Sequence, residues 1–259
     1  MIKISVVIIT LNEEKNLSRC LESVKRIADE IIILDSFSTD RTIQIAQEYN
    51  TTIFQEKFLG YGAQKNLATE KASNNWVVSL DADEALSIEL EKSILEVKHN
   101  PTYSIYELAR LNNYCGKWIR HCGWYPDKKI RLYDRTKGSW RGEKIHESWE
   151  PTNKNEKVGK LKGDLLHYSY YTISDHIRQI EKFTEMSALE SVSQGKTCSI
   201  LKIWIVPIWI FLLNYFLRLG FLDGEKGYLV CKFSAHAAFI KYSKIRQYAL
   251  FKIQGKLIQ

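Results

Sequence analysis

Glycine and proline are scarce in this 259-residue chain, at 13 and 4 residues, which excludes collagen-like and low-complexity readings. Cysteine is scarce too. Cys20, Cys115, Cys122, Cys198 and Cys231 are odd in number and scattered, with no Cys-x-x-Cys pair. That argues against a disulfide scaffold and predicts reduced thiols in a cytoplasmic protein. Cys115, His121 and Cys122 make at most half a zinc site, because no second ligand pair stands at finger spacing. The opening Met1-Ile2-Lys3-Ile4-Ser5-Val6 has no basic region ahead of a long apolar core, so no secretory signal is expected. Also missing are a G-x-G-x-x-G after the first β-branched run and any G-x-x-x-x-G-K-[ST], which disfavours dinucleotide dehydrogenases and P-loop nucleotidases. With 45% hydrophobic and 26% charged residues the chain is globular, and at this length it buries roughly 70–75% of its unfolded surface without a staple.

The net charge of +7 is unevenly placed. From Ser191 onward there are ten Lys or Arg against Asp223 and Glu225, so this last quarter carries +8 and the rest −1. The same quarter holds the most apolar run in the chain, Ile203 to Leu217, broken by Pro207 and closed by Arg218. At 15 residues it is short of the ~20 that a membrane span needs. Trp204, Trp209 and Tyr215 are types that favour the headgroup zone, and Lys241, Lys244, Arg246, Lys252 and Lys256 would meet anionic lipid. Interfacial attachment to an anionic membrane is therefore expected, with a buried core helix or a true span as the other readings. Nucleic acid is disfavoured as a partner, because the charges adjoin a greasy aromatic run rather than a polar basic stripe.

The first hundred residues alternate strands and helices. Strands are expected at Ile4–Ile9, Ile31–Leu34, Thr52–Phe54 and Trp76–Leu80, with helical spacing at Leu17, Cys20, Leu21 and Val24, at Ile43, Ala46 and Tyr49, and over Gln64–Ala72. This order predicts an α/β fold with a mostly parallel sheet flanked by helices. Ligands of such sheets sit beyond the carboxyl ends of the strands. Thr10 and Asn12, Asp35, and Asp81 with Asp83 stand at those ends. Residues 103–168, rich in Tyr, Trp, Arg and His, read as shorter strands and loops. Helices are expected over about Thr172–Gln194 and Gly227–Tyr242.

Asp81-Ala82-Asp83 is weak on its own. Ten Asp in this chain predict roughly 0.4 Asp-x-Asp triplets by chance, and such acids also serve as caps for the helix expected from Ser87. Its position at the end of an apolar strand, on the rim where other polar groups gather, favours function. A divalent ion on a diphosphate needs one or two carboxylates, with phosphate oxygens completing its shell.

The stretches Ser5-Val6-Val7-Ile8-Ile9-Thr10-Leu11-Asn12-Glu13-Glu14, Ile33-Leu34-Asp35-Ser36 with Ser38-Thr39-Asp40, Gln64-Lys65-Asn66, and Leu80-Asp81-Ala82-Asp83-Glu84 resemble family 2 glycosyltransferases, inverting enzymes of the GT-A fold. Trp124-Tyr125-Pro126-Asp127, Arg131-Leu132-Tyr133, Ile145-His146-Glu147 and Asp223-Gly224 are similar to a narrower branch, the bacterial lipopolysaccharide core glycosyltransferases that include heptose β-1,4-glucosyltransferases. The resemblance implies that Thr10, Asn12 and Glu13 line the nucleotide pocket, that Asp35 bonds the base, and that Lys65 lies close to the nucleotide. It implies further that Asp83 ligates Mg2+ or Mn2+ and that Asp81 contacts the ribose or donor sugar. Inversion needs a base for the acceptor hydroxyl. The Glu-Asp pair that many members use is missing after the metal motif, and Glu147 stands at about its place, with Asp127 the second choice. His146 is open as a third metal ligand, as a group orienting Glu147, or as a packed residue. His167 reads as a structural strand-end residue.

A GT-A domain over 1–170 and a helical, basic and apolar membrane-associating appendage over 171–259 are therefore expected. The implied donor is a nucleotide sugar, UDP-glucose first. The implied acceptor is a lipopolysaccharide core or related glycolipid, at the inner face of the cytoplasmic membrane. Arg110, Arg120, Lys128, Arg131 and Arg141, interleaved with Tyr114, Trp118, Trp124 and Trp140, either hold a phosphorylated sugar or form a solvated surface over an aromatic core. Two rival readings stay in view. A nucleotidyltransferase would bring a Gly-rich basic phosphate loop that is missing here, and a silent membrane-bound scaffold would not need the intact set of acids.

Overall fold

The computed structural model describes residues 1–142 and 147–253. The chain divides into two compact units, one of Met1–Leu111 with Pro126–Tyr168 and one of Asn112–Tyr125 with Ser169–Gln259.

In the first unit, β1 (Ile4–Thr10), a β-branched run buried on both faces, is followed by α1 (Leu17–Val24), β2 (Glu30–Asp35), α2 (Thr42–Gln47), β3 (Thr52–Gln55), α3 (Tyr61–Glu70) and β4 (Trp76–Asp81). Strands β1, β2, β3 and β4 pair in parallel in the order β3-β2-β1-β4. The pairing sets Thr10 beside Asp35 and Ile9 beside Asp81, so the polar strand ends share one rim. α1 turns Leu17, Cys20, Leu21 and Val24 onto that sheet, all fully buried, as the period of 3.6 predicts.

After β5 (Glu84–Leu86) and α4 (Ile88–His99) the pairing changes sign. β6 (Ile105–Tyr114), β7 (Lys117–Ile119), β8 (Asp127–Asp134), β9 (Gly138–Arg141), β10 (Ser148–Pro151) and β11 (Val158–Tyr170) follow. β8 pairs antiparallel with β4 and with β6, and β11 pairs antiparallel with β5. The parallel expectation holds for the first four strands, and the sheet is antiparallel beyond β4. The shorter strands expected over 103–168 include β7, β9 and β10, but β6 and β11 are long, at 10 and 13 residues, and β11 runs on to Tyr170. Ser87 caps α4, its hydroxyl accepting from Leu90 N at 3.2 Å, so Asp81 and Asp83 are free of capping duty.

The second unit is built on α5 (Ile173–Ser193), α6 (Ile200–Leu212) and α7 (Gly224–Ile253), with a π-helical turn over Leu213–Leu217. α5 opens on a capping box in which the Thr172 hydroxyl and the Asp175 carboxylate exchange hydrogen bonds with each other's backbone N–H. Two apolar clusters hold the unit. Tyr114, Ile119 and Cys122 pack with Val230 and Cys231, and Ala188, Val192 and Cys198 pack with Ile245 and Ala249. All five cysteines are free thiols. His121 pairs with Asp223 through Nδ1 at 3.1 Å.

Candidate active site

All the site residues described here belong to the first unit. Two loops beyond β1 and β2 are stitched together. Asn12, in the left-handed region at φ 56°, donates its N–H to Ser38 Oγ at 2.8 Å, and its side-chain oxygen accepts from Thr39 N at 2.8 Å. Glu13 N donates to Thr42 Oγ1 at 2.7 Å. Asp35 is fully buried. Its oxygens accept from Thr10 Oγ1 at 2.9 Å, Ser38 N at 2.8 Å, Gln55 Nε2 at 3.2 Å and the Ser38 hydroxyl. With four donors its acceptor sites are filled, so Asp35 shapes the loop, and contact with a nucleobase requires one of these donors to give way.

Gln64, Lys65 and Asn66 do three jobs in three consecutive positions of α3. Gln64 Nε2 donates to Ser36 Oγ at 3.2 Å. Asn66 exchanges two 2.9 Å bonds with the Trp140 main chain, which ties the helix to β9. Gly62 permits that approach, since a Cβ there would lie 2.7 Å from the Gly142 carbonyl oxygen. Lys65, 0% exposed, points its ammonium at Asp81 Oδ1 at 2.9 Å and Glu147 Oε1 at 3.1 Å, over the Trp140 ring at 4.8 Å.

From there the charges alternate in an unbroken ladder. Asp81 Oδ2 accepts from Arg131 at 2.8 Å, Arg131 reaches Glu84 Oε1 at 2.7 Å, and Arg110 bridges Glu84 at 3.4 Å to Asp127 at 2.7 Å. Lys129 closes the ladder on Asp127 Oδ1 at 3.2 Å. Burial opposes the charge on Asp81, but Lys65 and Arg131 outweigh it and hold its carboxyl well below the usual range. Arg131 is likewise opposed by burial and raised by Glu84 and Asp81. Arg110 and Arg131 are thus internal partners of acids. Lys128 pairs with Glu107 at 3.1 Å, so these three are not a free basic patch for an acceptor.

Asp83 stands off this ladder. Its Oδ2 lies 3.1 Å from His167 Nε2, and no Lys or Arg pairs with it among the described residues. His167 is placed by the antiparallel pairing of β11 with β5, where it faces Glu84. His167 stands near the end of β11, as expected, and its contact with Asp83 is one that no local signal marks, because the two partners are 84 positions apart. Tyr168 N donates to the Asp83 carbonyl at 3.0 Å, and the Tyr168 ring carries the Arg19 guanidinium 3.4 Å above it.

The surroundings are acidic. Burial, and then the charges of Asp83, Asp81 and Asp40, push the Glu13 carboxyl up to about 7 against a hydrogen bond from Asn16. Tyr61, a residue that no motif pointed to, is raised by burial and by Asp81, Glu147, Asp83 and Glu13, so these four acids act on a common space.

Of the residues expected from sequence, Lys65, Asp81 and Glu147 meet directly, Thr10 meets Asp35, and Asn12 and Glu13 bind the loop and helix beyond Asp35. Asp127 lies at the far end of the ladder with both oxygens engaged. His146 lies outside the described residues. A divalent cation fits what is present. A hard carboxylate, Asp83, and an imidazole nitrogen, that of His167, converge in a negative field, and no Lys or Arg pairs with Asp83 among the described residues. With two protein ligands, diphosphate and water oxygens would complete the shell.

A parallel sheet whose rim gathers acids is thus followed by an antiparallel extension that returns His167 to that rim. The chain belongs to glycosyl transferase family 2, whose model matches residues 5–152, and it is a glycosyltransferase of the GT-A fold. An uncharacterised glycosyltransferase of Rickettsia typhi is 34% identical, the match covering 96% of this chain and 89% of that one. The lipopolysaccharide core biosynthesis glycosyltransferase LpsC of Rhizobium meliloti is 31% identical, with 94% and 92% covered. The crystal structure of S. aureus TarS 1-349 in complex with UDP-GlcNAc aligns over 99% of this chain and 93% of that chain, at 17% identity and a TM-score of 0.48.

Proposed function

We propose that this glycosyltransferase moves a hexose, glucose from UDP-glucose, onto a lipopolysaccharide core or related glycolipid by a single inverting displacement. The observation that carries the reading is the division of labour among the acids. Asp81 is neutralised by Lys65 and Arg131, whereas Asp83 pairs with His167. Asp83 and His167 would hold Mg2+ or Mn2+, and Asp81 would face the ribose or donor sugar. A bound divalent cation supplies positive charge against the departing diphosphate. Thr10, Asn12 and Glu13 line the nucleotide side, and the base reaches Asp35 by displacing Gln55, the donor at the longest distance.

Glu147 is the proposed base. Lys65 anchors one of its oxygens at 3.1 Å, which fixes the carboxylate beside Asp81. The acceptor hydroxyl oxygen attacks the anomeric carbon, its proton passes to Glu147, and the bond from that carbon to the phosphate oxygen breaks with the electron pair leaving on UDP. Asp127 suits this role less, because Arg110 and Lys129 hold both its oxygens. The name of the Rhizobium relative supports the acceptor class. A glycolipid acceptor would place the enzyme on the inner face of the cytoplasmic membrane, with residues 171–259 as its membrane-associating part.

The test is thermal unfolding with Mn2+ and a panel of nucleotides and nucleotide sugars. Ligand at 100 times its dissociation constant adds about 2.7 kcal/mol. UDP and UDP-glucose are expected to protect only with metal present. No protection by any nucleotide would overturn the donor assignment.

A further inference from the structure

The second unit carries a surface that glycosyl transfer does not explain. α6 with the π turn after it is the one described helix long and apolar enough to cross a membrane, yet little of it is buried in the protein. Its outward positions repeat every four residues or so, in the pattern Leu201, Trp204, Ile205, Ile208, Trp209, Leu212, and Trp204 is 67% exposed. A continuous stripe of this kind far exceeds the scattered apolar residues of a soluble monomer surface. Phe216 and Leu217 continue it, and the 3-10 turn Gly220–Asp223 adds exposed Phe221 and Leu222.

The opposite face is already spoken for. Ile203 packs with the cluster of Ala188, Val192, Cys198, Ile245 and Ala249, and Phe211 packs with that of Tyr114 and Cys231. Asn214 is buried and accepts from Arg218 at 3.2 Å. Behind α6 stand charges that cannot enter hydrocarbon cheaply. Lys244 lies 2.8 Å from both Glu181 and Glu185, and Arg246 donates to the Cys198 carbonyl at 3.1 Å. Lys202 and Arg218 bracket the run Ile203–Leu217, whose apolar sequence is interrupted by Pro207 and by the buried Asn214.

We infer that α6 and the turns after it lie flat in one leaflet of an anionic bilayer, with Trp204, Ile208 and Trp209 sunk below the headgroups and the exposed Lys202 and Arg218, at the two ends of the apolar run, on the phosphates. This deepens the membrane reading above. The packed inner face of α6 and the charges behind it argue against a span, and the occupant is lipid rather than a second copy because the stripe sits in a stretch of +8 net charge, which repels its own copy and attracts anionic headgroups.

The test uses the full chain, wild type and the double variant Trp204→Glu/Ile208→Glu, sedimented with phosphatidylcholine vesicles with and without about one third phosphatidylglycerol. Wild type is expected to bind the mixed vesicles at least about tenfold more tightly than the neutral ones, to lose that binding in high salt, and to leave membranes in alkaline carbonate. The variant is expected to lose vesicle binding while keeping its circular dichroism and melting point, since both positions are exposed. Absence of wild-type binding to mixed vesicles would overturn the inference. So would retention after carbonate, which signals a span, or a lipid-independent dimer abolished by the variant. UDP protection read on the same two proteins separates this from the donor reading. Equal protection in both leaves the lipid result to stand alone, and no protection in either sinks the donor reading without touching the vesicle result.

Discussion

The two units break the usual rule of burial in opposite directions. The first hides charges: Lys65 and Glu84 are 0% exposed and Arg131 is 2% exposed, all inside a ladder of acids and bases. The second displays what a protein normally hides, with Trp204 and Leu217 more than two-thirds exposed. Lys, Glu and Arg are almost never fully buried unless paired, and large apolar patches seldom face water without a partner. Places where local rules fail are where function is expected. Here one failure lies at the proposed donor site and the other on the surface proposed to meet lipid.

The comparison can be broken at either end. The largest effect is expected at Asp83, the acid outside the ladder. Asp83→Asn should cut turnover by 10^3-fold or more, equivalent to about 4 kcal/mol, with little change in urea stability. Inside the ladder the pattern should reverse. Glu84→Ala leaves Arg131 buried with half its partners and should cost about 3–5 kcal/mol in urea unfolding. In the second unit His176 is buried among the Tyr114, Trp124, Tyr170 and Phe233 rings, with Nδ1 3.1 Å from the Tyr114 hydroxyl. Burial pushes its imidazole down to about 4. The unfolded chain therefore binds a proton below about pH 6.5 that the fold refuses. Stability should be full above pH 6.5 and fall by about 3 kcal/mol as pH drops towards 4, and His176→Gln should flatten that slope in melts across the range. The smallest effect belongs to the exposed stripe, where Trp204→Ser should stay within about 0.5 kcal/mol of wild type.

How much of this was legible in the sequence depended on distance along the chain. The first four strands were readable as short apolar runs, three of which lead into polar residues (Thr10 and Asn12, Asp35, and Asp81 with Asp83), and parallel pairing then brings those ends to one rim. His167 was not readable, since only the pairing of β11 with β5 carries it to Asp83. Arg131 looked like an acceptor-facing cation because a sequence does not show that its neighbours across the sheet are Asp81 and Glu84. The long β6 and β11 were obscured by mixed polar and aromatic residues that follow no clean alternation. Asp35 was readable as a site residue, but its saturation by Thr10, Ser38 and Gln55 was not.

The most direct measurement is Mn2+-dependent protection by UDP in thermal melts of wild type, Asp83→Asn and Glu147→Gln. If Asp83 holds the metal for the donor and Glu147 acts only on the acceptor, wild type and Glu147→Gln gain the same stability, Glu147→Gln has lost turnover, and Asp83→Asn gains nothing. Full metal-dependent protection in Asp83→Asn would contradict the account.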